Sequence, residues 1–240
     1  MDNAGYIAIT RQSALLKELN SVANNVANMS TAGFRREGVV FSEHVEALPV
    51  EEGSISLATA GAYYVDLSQG GLKQTGGQFD FAIEGDGFFQ VETPDGPRLT
   101  RSGSFAVNNE GQFVNADGLP VLGDGGGPLF VPQGAQIIQV APDGTLSADG
   151  APVGRMGLVE AEPGSLRRDG SNLFDTDGPL APAADSRIMQ GFLEGSNVNP
   201  VEEISRLIEV QRAYEFSKKF MDQEDERILN TVKTVGETRR

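Results

Sequence analysis

The chain contains no cysteine, no tryptophan and one histidine, His44, among its 240 residues. Without cysteine it has no disulfide, thiol nucleophile or zinc-thiolate site. That absence leaves the compartment open, since a cysteine-free chain is equally safe inside or outside the cell. With four Tyr and no Trp, platforms for stacking sugar rings are scarce. No apolar run approaches the ~18 residues that a membrane span needs. The opening "MDNAGYIAIT" lacks the basic and then apolar regions of a secretory signal peptide. Positive charge is also short: 19 Lys and Arg stand against 34 Asp and Glu, for a net charge of −15. Such a balance argues against nucleic acid and against anionic membrane surfaces as partners.

What the chain has in excess is glycine, 30 residues, nearly twice the usual share of about 7%. Many follow an acidic residue: Asp95-Gly96, Glu110-Gly111, Asp117-Gly118, Asp143-Gly144 and Asp149-Gly150. These are hairpin signals, and they separate short runs of period two, as in "FDFAIEGDGFFQVETPDGPRLTRSGSFAVNNEGQFVNADGLPVLG". Residues 72–193 therefore read as one antiparallel β domain of many short strands. Residues 37–71 read as a long, partly extended linker.

The two ends change period. Leu15, Leu19, Val22, Val26 and Met29 follow the 4-3-4-3 spacing of a coiled-coil seam, which predicts a helix over about 3–29 within an N-terminal segment 1–36. Gly33 then offers a left-handed stop. At the other end Asn199-Pro200-Val201-Glu202 supplies an N-cap, a Pro at the first helical position and a capping-box Glu. Leu207, Tyr214, Met221, Ile228 and Val235 recur every seven residues, with polar Gln211, Lys218 and Asp225 taken as the intermediate seam positions. This second helix, within a segment 194–240, is expected to run to about residue 235. The fold class expected is α+β, with long N- and C-terminal helices forming a coiled-coil-like helical layer and a central antiparallel β domain.

Asparagine is abundant where helices usually avoid it, in "NSVANNVANMSTAGFRREGVVF". Asn24 and Asn28 share one face beside Val22 and Val26, where their amides can fix register across a helix–helix contact. The alternative is that these amides are simply solvated. Charge divides in the same way as period. Residues 1–36 hold four basic and two acidic groups, residues 37–196 seven and 23, and residues 197–240 eight and nine. Nearly neutral ends can crowd together while acidic β domains repel. A plain intramolecular helix pair covering one β core is the other reading of the same pattern. It would leave a face of the longer helix unburied.

"ANNVANMSTAGFRR" resembles the N-terminal signature of the flagellar basal-body rod and hook proteins, with Asn24, Asn25, Ala27, Asn28, Thr31, Gly33 and Phe34 at its marked positions. "LEGSNVNPVEEISRLIEVQRAYE" resembles that family's C-terminal signature through Leu193, Glu194, Ser196, Asn197, Val198, Asn199, Gln211, Arg212 and Tyr214. "GGQFDFAIEGDGFFQV" and "LTRSGSFAVNNEGQFVNADGLPVLG" are similar to its β domain. The resemblance implies a structural subunit assembling into a helical tube, terminal helices inside and β domains outside. The partners it implies are copies of itself, other flagellar rod proteins and the flagellar export apparatus. Its implied location is the periplasmic rod of the basal body, reached without a cleaved signal peptide. It also implies ends that become ordered on assembly. The residues expected at the assembly interface are those of both signatures together with the seam positions Leu15, Leu19, Val22, Val26, Leu207, Met221 and Ile228.

Other chemistry is thin. "EGDG" (84–87) and "GDGGG" (123–127) lack full calcium-loop spacing and fit turns better. His44 with Glu43 and Glu46 has no second His or Cys to complete a metal set. Arg35-Arg36 and "RRDG" (167–170) read as surface or inter-subunit ion-pair groups. No catalytic constellation, cofactor or metal site is expected. The contrasting class is a secreted β-domain enzyme or glycan-binding protein, which needs a pocket of convergent polar and aromatic groups.

Overall fold

The computed structural model describes residues 3–47, 54–162, 164–170 and 172–237, with side chains omitted from part of this range at the termini and over 42–61. It is an α+β chain that divides into two units: residues 1–26, 37–63 and 199–240, and residues 27–36 and 64–198.

The larger unit is built from short strands, all paired antiparallel among the described residues. Its main sheet has six strands, in spatial order 166–168, 173–176, 96–100, 88–93, 158–161 and 180–182. A three-stranded sheet and three two-stranded ladders complete it. The Asp/Glu-Gly pairs form turns as expected. At Asp149-Gly150 both residues have positive φ, 48° and 84°, which is the geometry of a tight two-residue hairpin.

Period two then sorts the side chains. Phe88 and Phe89 are adjacent, so they point to opposite faces. Phe89 joins Phe81, Phe105, Phe113, Leu146 and Ile188 in the principal core, while Phe88 packs with Leu99, Leu166 and Phe174 in a second one. Phe89 meets Phe105 edge-on at 5.2 Å and 83°, the arrangement that ring quadrupoles favour. An aromatic-poor chain has concentrated its Phe in these two clusters.

The smaller unit holds α1 (Asn3–Ala27), β1 (Glu37–Ala47), β2 (Ser54–Val65) and α2 (Pro200–Glu237). β1 and β2 pair with each other, so most of the stretch expected as a linker is a long two-stranded ribbon. Helix α2 starts where its signals place it. Asn199 Oδ1 accepts from the Val201 N–H at 3.1 Å, and Asn199 Nδ2 donates to Glu202 Oε1 at 2.9 Å, a side-chain version of the capping box. At 38 residues α2 is ~57 Å long. None of the described helices is apolar enough over 18 residues to cross a membrane.

Asn25 of α1 contacts Glu203 of α2, and Glu18 contacts Arg206, so the two helices run antiparallel. The buried positions on α2 are Glu203, Val210 and Ser217, flanked by half-buried Leu207, Tyr214 and Met221. The seven-residue repeat is thus real, but its intermediate members sit one position earlier than expected. Gln211, Lys218 and Asp225 are exposed. A buried Ser217 and a half-buried Glu224 hide the true phase. On α1 the buried residues are Ala8, Ala14, Glu18, Ser21, Val22 and Asn25. Leu15, Leu19 and Val26 are half-buried at the margin, and Met29 is exposed beyond the helix end.

Candidate functional site

The asparagine question resolves at Asn25, which is fully buried. Its Oδ1 accepts from the Glu37 N–H at 3.0 Å, and its Nδ2 donates to the Glu37 carbonyl at 2.8 Å and to Glu203 Oε2 at 3.2 Å. An amide offers donor and acceptor on one planar group, so it closes on a peptide as a strand would. One residue therefore holds the start of β1 and the first turn of α2. Ser21 adds a bond from its Oγ to the same Glu37 carbonyl at 2.9 Å. The partners expected for this work, Asn24 and Asn28, are half-buried. Asn28 instead closes the turn after α1, its Oδ1 accepting from Thr31 Oγ1 at 3.1 Å. Two turns before Asn25 on α1, Glu18 is buried and binds Arg206, whose Nε donates at 2.7 Å. Burial alone would lower the Arg206 pKa, but the Glu18 and Glu209 carboxylates outweigh it and the net shift is upward.

The rest of the N-terminal signature belongs to the β unit. Gly33 has φ +71°, and a Cβ there would lie 2.3 Å from the Ser102 amide nitrogen. Only glycine lets the chain approach that closely. The Gly33 N–H donates to the Glu194 carbonyl at 2.7 Å. Phe34 is buried beneath the Arg168 guanidinium, 4.3 Å from its ring centre. Arg36 presents its N–H to Asn197 Oδ1 at 2.6 Å, and Asn197 Nδ2 reaches the Asp66 and Ser68 carbonyls at 2.9 and 3.0 Å. So Asn197 gathers three stretches of backbone, much as Asn25 gathers two. Ser196 supports the adjoining turn by accepting from the Val198 N–H, and Val198 is buried. Leu193 lies half-buried on the strand Phe192–Glu194.

Inside the β unit lies a charged group whose members read from sequence alone as surface residues. Arg35 Nη2 and Glu194 Oε1 are 2.7 Å apart, both side chains at 0% exposure. Arg101 Nη1 stands 3.5 Å from Glu194 Oε2, and its guanidinium lies 4.7 Å over the Phe88 ring. The Gly70 N–H also donates to Glu194 Oε1, at 2.8 Å. Two guanidiniums thus share one carboxylate, leaving Arg35 Nε and Nη1 and Arg101 Nε without an acceptor. Burial, reinforced by repulsion from Arg35, pulls the Arg101 pKa down to about 10. Arg35 is therefore an interior ion-pair residue, not the surface group its sequence context suggested. Of "RRDG", Arg167 is exposed and pairs with Asp177, while Arg168 turns inward onto Phe34 and Phe174.

These observations divide the expected interface residues. Gly33, Phe34, Glu194, Val198, Val22 and Asn25 are buried within the chain's own units. Gln211, Arg212, Asn199 and Ala27 are exposed, as is Ile228. Apolar exposure is heaviest on α2, where Val201 is 74%, Phe216 73% and Val232 64% accessible. Missed from sequence were Arg101, Glu203 and Glu18. Their charge argued for the surface, and only the buried partners reveal them. The side chain of His44 lies outside the described residues. A cleft of about 550 Å³ beside Asp143, Arg155 and Ser186 has no aromatic side chain in its lining.

A chain whose β unit closes on an interior hub drawn from three distant stretches of sequence, and whose helices keep apolar faces uncovered, has the make-up of an assembly subunit. Three family models match in order. Residues 6–35 fit the flagella basal body rod protein model, 82–148 the flagellar hook protein FlgE/F/G D1 domain, and 189–233 the flagellar basal body rod FlgEFG protein C-terminal model. The chain belongs to the flagellar basal-body rod protein family. It is 40% identical to the flagellar basal-body rod protein FlgF of Caulobacter vibrioides, over 98% of this chain and 99% of that one. It is 36% identical to the FlgF of Rhizobium meliloti over the full length of both. It is 32% identical to the FlgG of Bacillus subtilis over 95% and 97%. The similarity thus favours the F-type over the G-type. Arg35, Arg101 and Glu194 come one from each of the three matched segments.

Proposed function

We propose that the protein is an F-type structural subunit of the flagellar basal-body rod, built through α1 and α2 into a helical tube that transmits torque. The observation that carries this is the Arg35–Arg101–Glu194 hub, which joins the three family segments inside a chain whose helices still expose apolar stripes. The helices form a coiled-coil-like inner layer, and the acidic β unit faces outward, where like charge keeps neighbouring copies apart. Neighbouring rod proteins and further copies of the chain are its partners. The flagellar export apparatus delivers it to the periplasmic rod, and the helical layer becomes fully ordered on assembly.

The test is direct. Basal bodies purified from cells producing an epitope-tagged chain should carry the tag at the rod, and cells lacking the chain should build basal bodies with no complete rod. A tag that is absent from purified basal bodies, or a normal rod in the deletion strain, overturns the reading. Hydrogen exchange on dilute protein tests coupled ordering, which requires faster exchange over 8–27 than over the strands 81–93.

A further inference from the structure

Helix α2 is longer than the helix it packs against. From Glu203 to Glu224 one stripe of α2 is buried or half-buried, and beyond it every described side chain from Asp225 to Thr234 is exposed. The contacts of Asn25 with Glu203 and of Glu18 with Arg206 set the register. Counting back along α1, they bring Asn3 opposite about residue 223. The seven-residue repeat does not stop there. Ile228 follows Leu207, Tyr214 and Met221 on the same stripe, and Val232 lies one turn beyond it. Their exposures are 47% and 64%. The overhang from residue 225 to the helix end at Glu237 is ~20 Å of unmatched seam.

Helix α1 carries a complementary surplus. Ile9, Leu16 and Ala23 also recur every seven residues, all exposed, on the side of α1 away from Glu18 and Asn25. From Ile9 to Ala23 this outer stripe is ~21 Å long, which matches the overhang.

We propose that the outer stripe of α1 in one copy seats on the overhang of α2 in a second copy of this chain. Continuity selects the occupant. The seam that accepts α1 along residues 203–224 continues unchanged in period, so it asks for another helix of the same kind. Among the described residues, α1 itself carries an unpartnered stripe whose length matches the overhang. The two surfaces differ, so the contact is head-to-tail and repeats without closing on itself. This rests on the rod-subunit reading and specifies which faces join its copies.

The cysteine-free background makes the test clean. Leu16 lies opposite about residue 210 of its own α2, ~27 Å from Ile228, whereas a disulfide needs Cα atoms within ~7 Å. A bridge between positions 16 and 228 must therefore join two copies. In basal bodies from cells producing Leu16→Cys and Ile228→Cys chains together, mild oxidation should give a species of twice the chain mass linked through those sites. Its yield should exceed about tenfold that of Leu16→Cys with Asn230→Cys, whose thiol points to the other side of α2. Equal yields overturn the inference, as does linkage of position 228 to a chain of different mass. Both variants present in basal bodies but unlinked also overturn it, while leaving the rod reading standing. If the thiol variants fail to incorporate, Leu16→Asp and Val232→Asp decide. Each should cut incorporation at least about tenfold without unfolding the β unit, and normal incorporation of both sinks the proposal.

Discussion

Arg35 and Glu194 are 159 positions apart in the chain and 2.7 Å apart in the fold, with no solvent reaching either side chain. Among the described residues, Glu194 is the one carboxylate in hydrogen-bond or ion-pair contact with Arg35 and Arg101, so removing it leaves two buried guanidiniums facing each other. Breaking a buried pair from one side costs roughly 3–5 kcal/mol. Glu194→Gln is therefore expected to lower the stability of the β unit by about that much, read as a lower urea midpoint with the slope unchanged. A loss under 1 kcal/mol would mean that the pair is not what holds the N-terminal signature in place.

Arg101 predicts the opposite sign. Its Nε lacks an acceptor, and its pKa of about 10 lies well below the usual arginine value because burial and Arg35 oppose its charge. The unfolded chain therefore binds this proton more tightly, and stability is lost to Arg101 at every pH below about 10. Arg101→Met keeps much of the volume over the Phe88 ring and leaves Arg35 and Glu194 as a one-to-one pair. It should be neutral or stabilising, by up to a few kcal/mol, at pH 7. Destabilisation comparable to that of Glu194→Gln in the same titration would show that both guanidiniums are needed.

Gly33 makes a steric prediction. Gly33→Ala requires a side chain at φ +71° and a Cβ 2.3 Å from the Ser102 backbone nitrogen, two residues past the strand 96–100. The left-handed penalty and the overlap should together cost about 3 kcal/mol or more. Gly118→Ala is the control, with positive φ but no atom within 4 Å of its Cβ. It should cost only about 1 kcal/mol by the same thermal unfolding measurement.

How far such residues could be read beforehand depended on whether their chemistry matched their position. Asp149-Gly150 and Asn199-Pro200 announce a turn and a helix start because local backbone geometry alone demands those residues. The period of seven along α2 is legible from its apolar residues, but the phase of the intermediate positions is not, since Ser217 and Glu224, which sit on the packed side, are as polar as Lys218 and Asp225 beside them. β1 and β2 passed for a linker because a two-stranded ribbon needs no single apolar face. Arg35, Arg101 and Glu194 were invisible as a group. Each alone reads as surface, and nothing local connects positions 35, 101 and 194. The resemblance of three separate motifs pointed to their being linked, but gave no clue that an ion pair does the linking.

Asn25 offers the sharpest test, because one atom can be exchanged. Asn25→Asp keeps the shape and the acceptor for the Glu37 N–H, but loses the Nδ2 donor to the Glu37 carbonyl and to Glu203. A second carboxylate then stands about 3.2 Å from Glu203, both groups buried. Burial and like charge both raise the folded-state pKa of such a carboxyl. Where the folded pKa is raised, the native state is favoured by the protonated form, and that advantage is lost as pH rises through the folded value. The variant should therefore be close to Asn25→Ala in stability near pH 4 and clearly worse at pH 7, by a further ~1–3 kcal/mol. Helical circular dichroism during urea unfolding at the two pH values reads this directly. Asn28→Asp, at the turn after α1, should show no comparable pH slope. Equal slopes for the two variants would mean that Asn25 does not couple α1 to the first turn of α2.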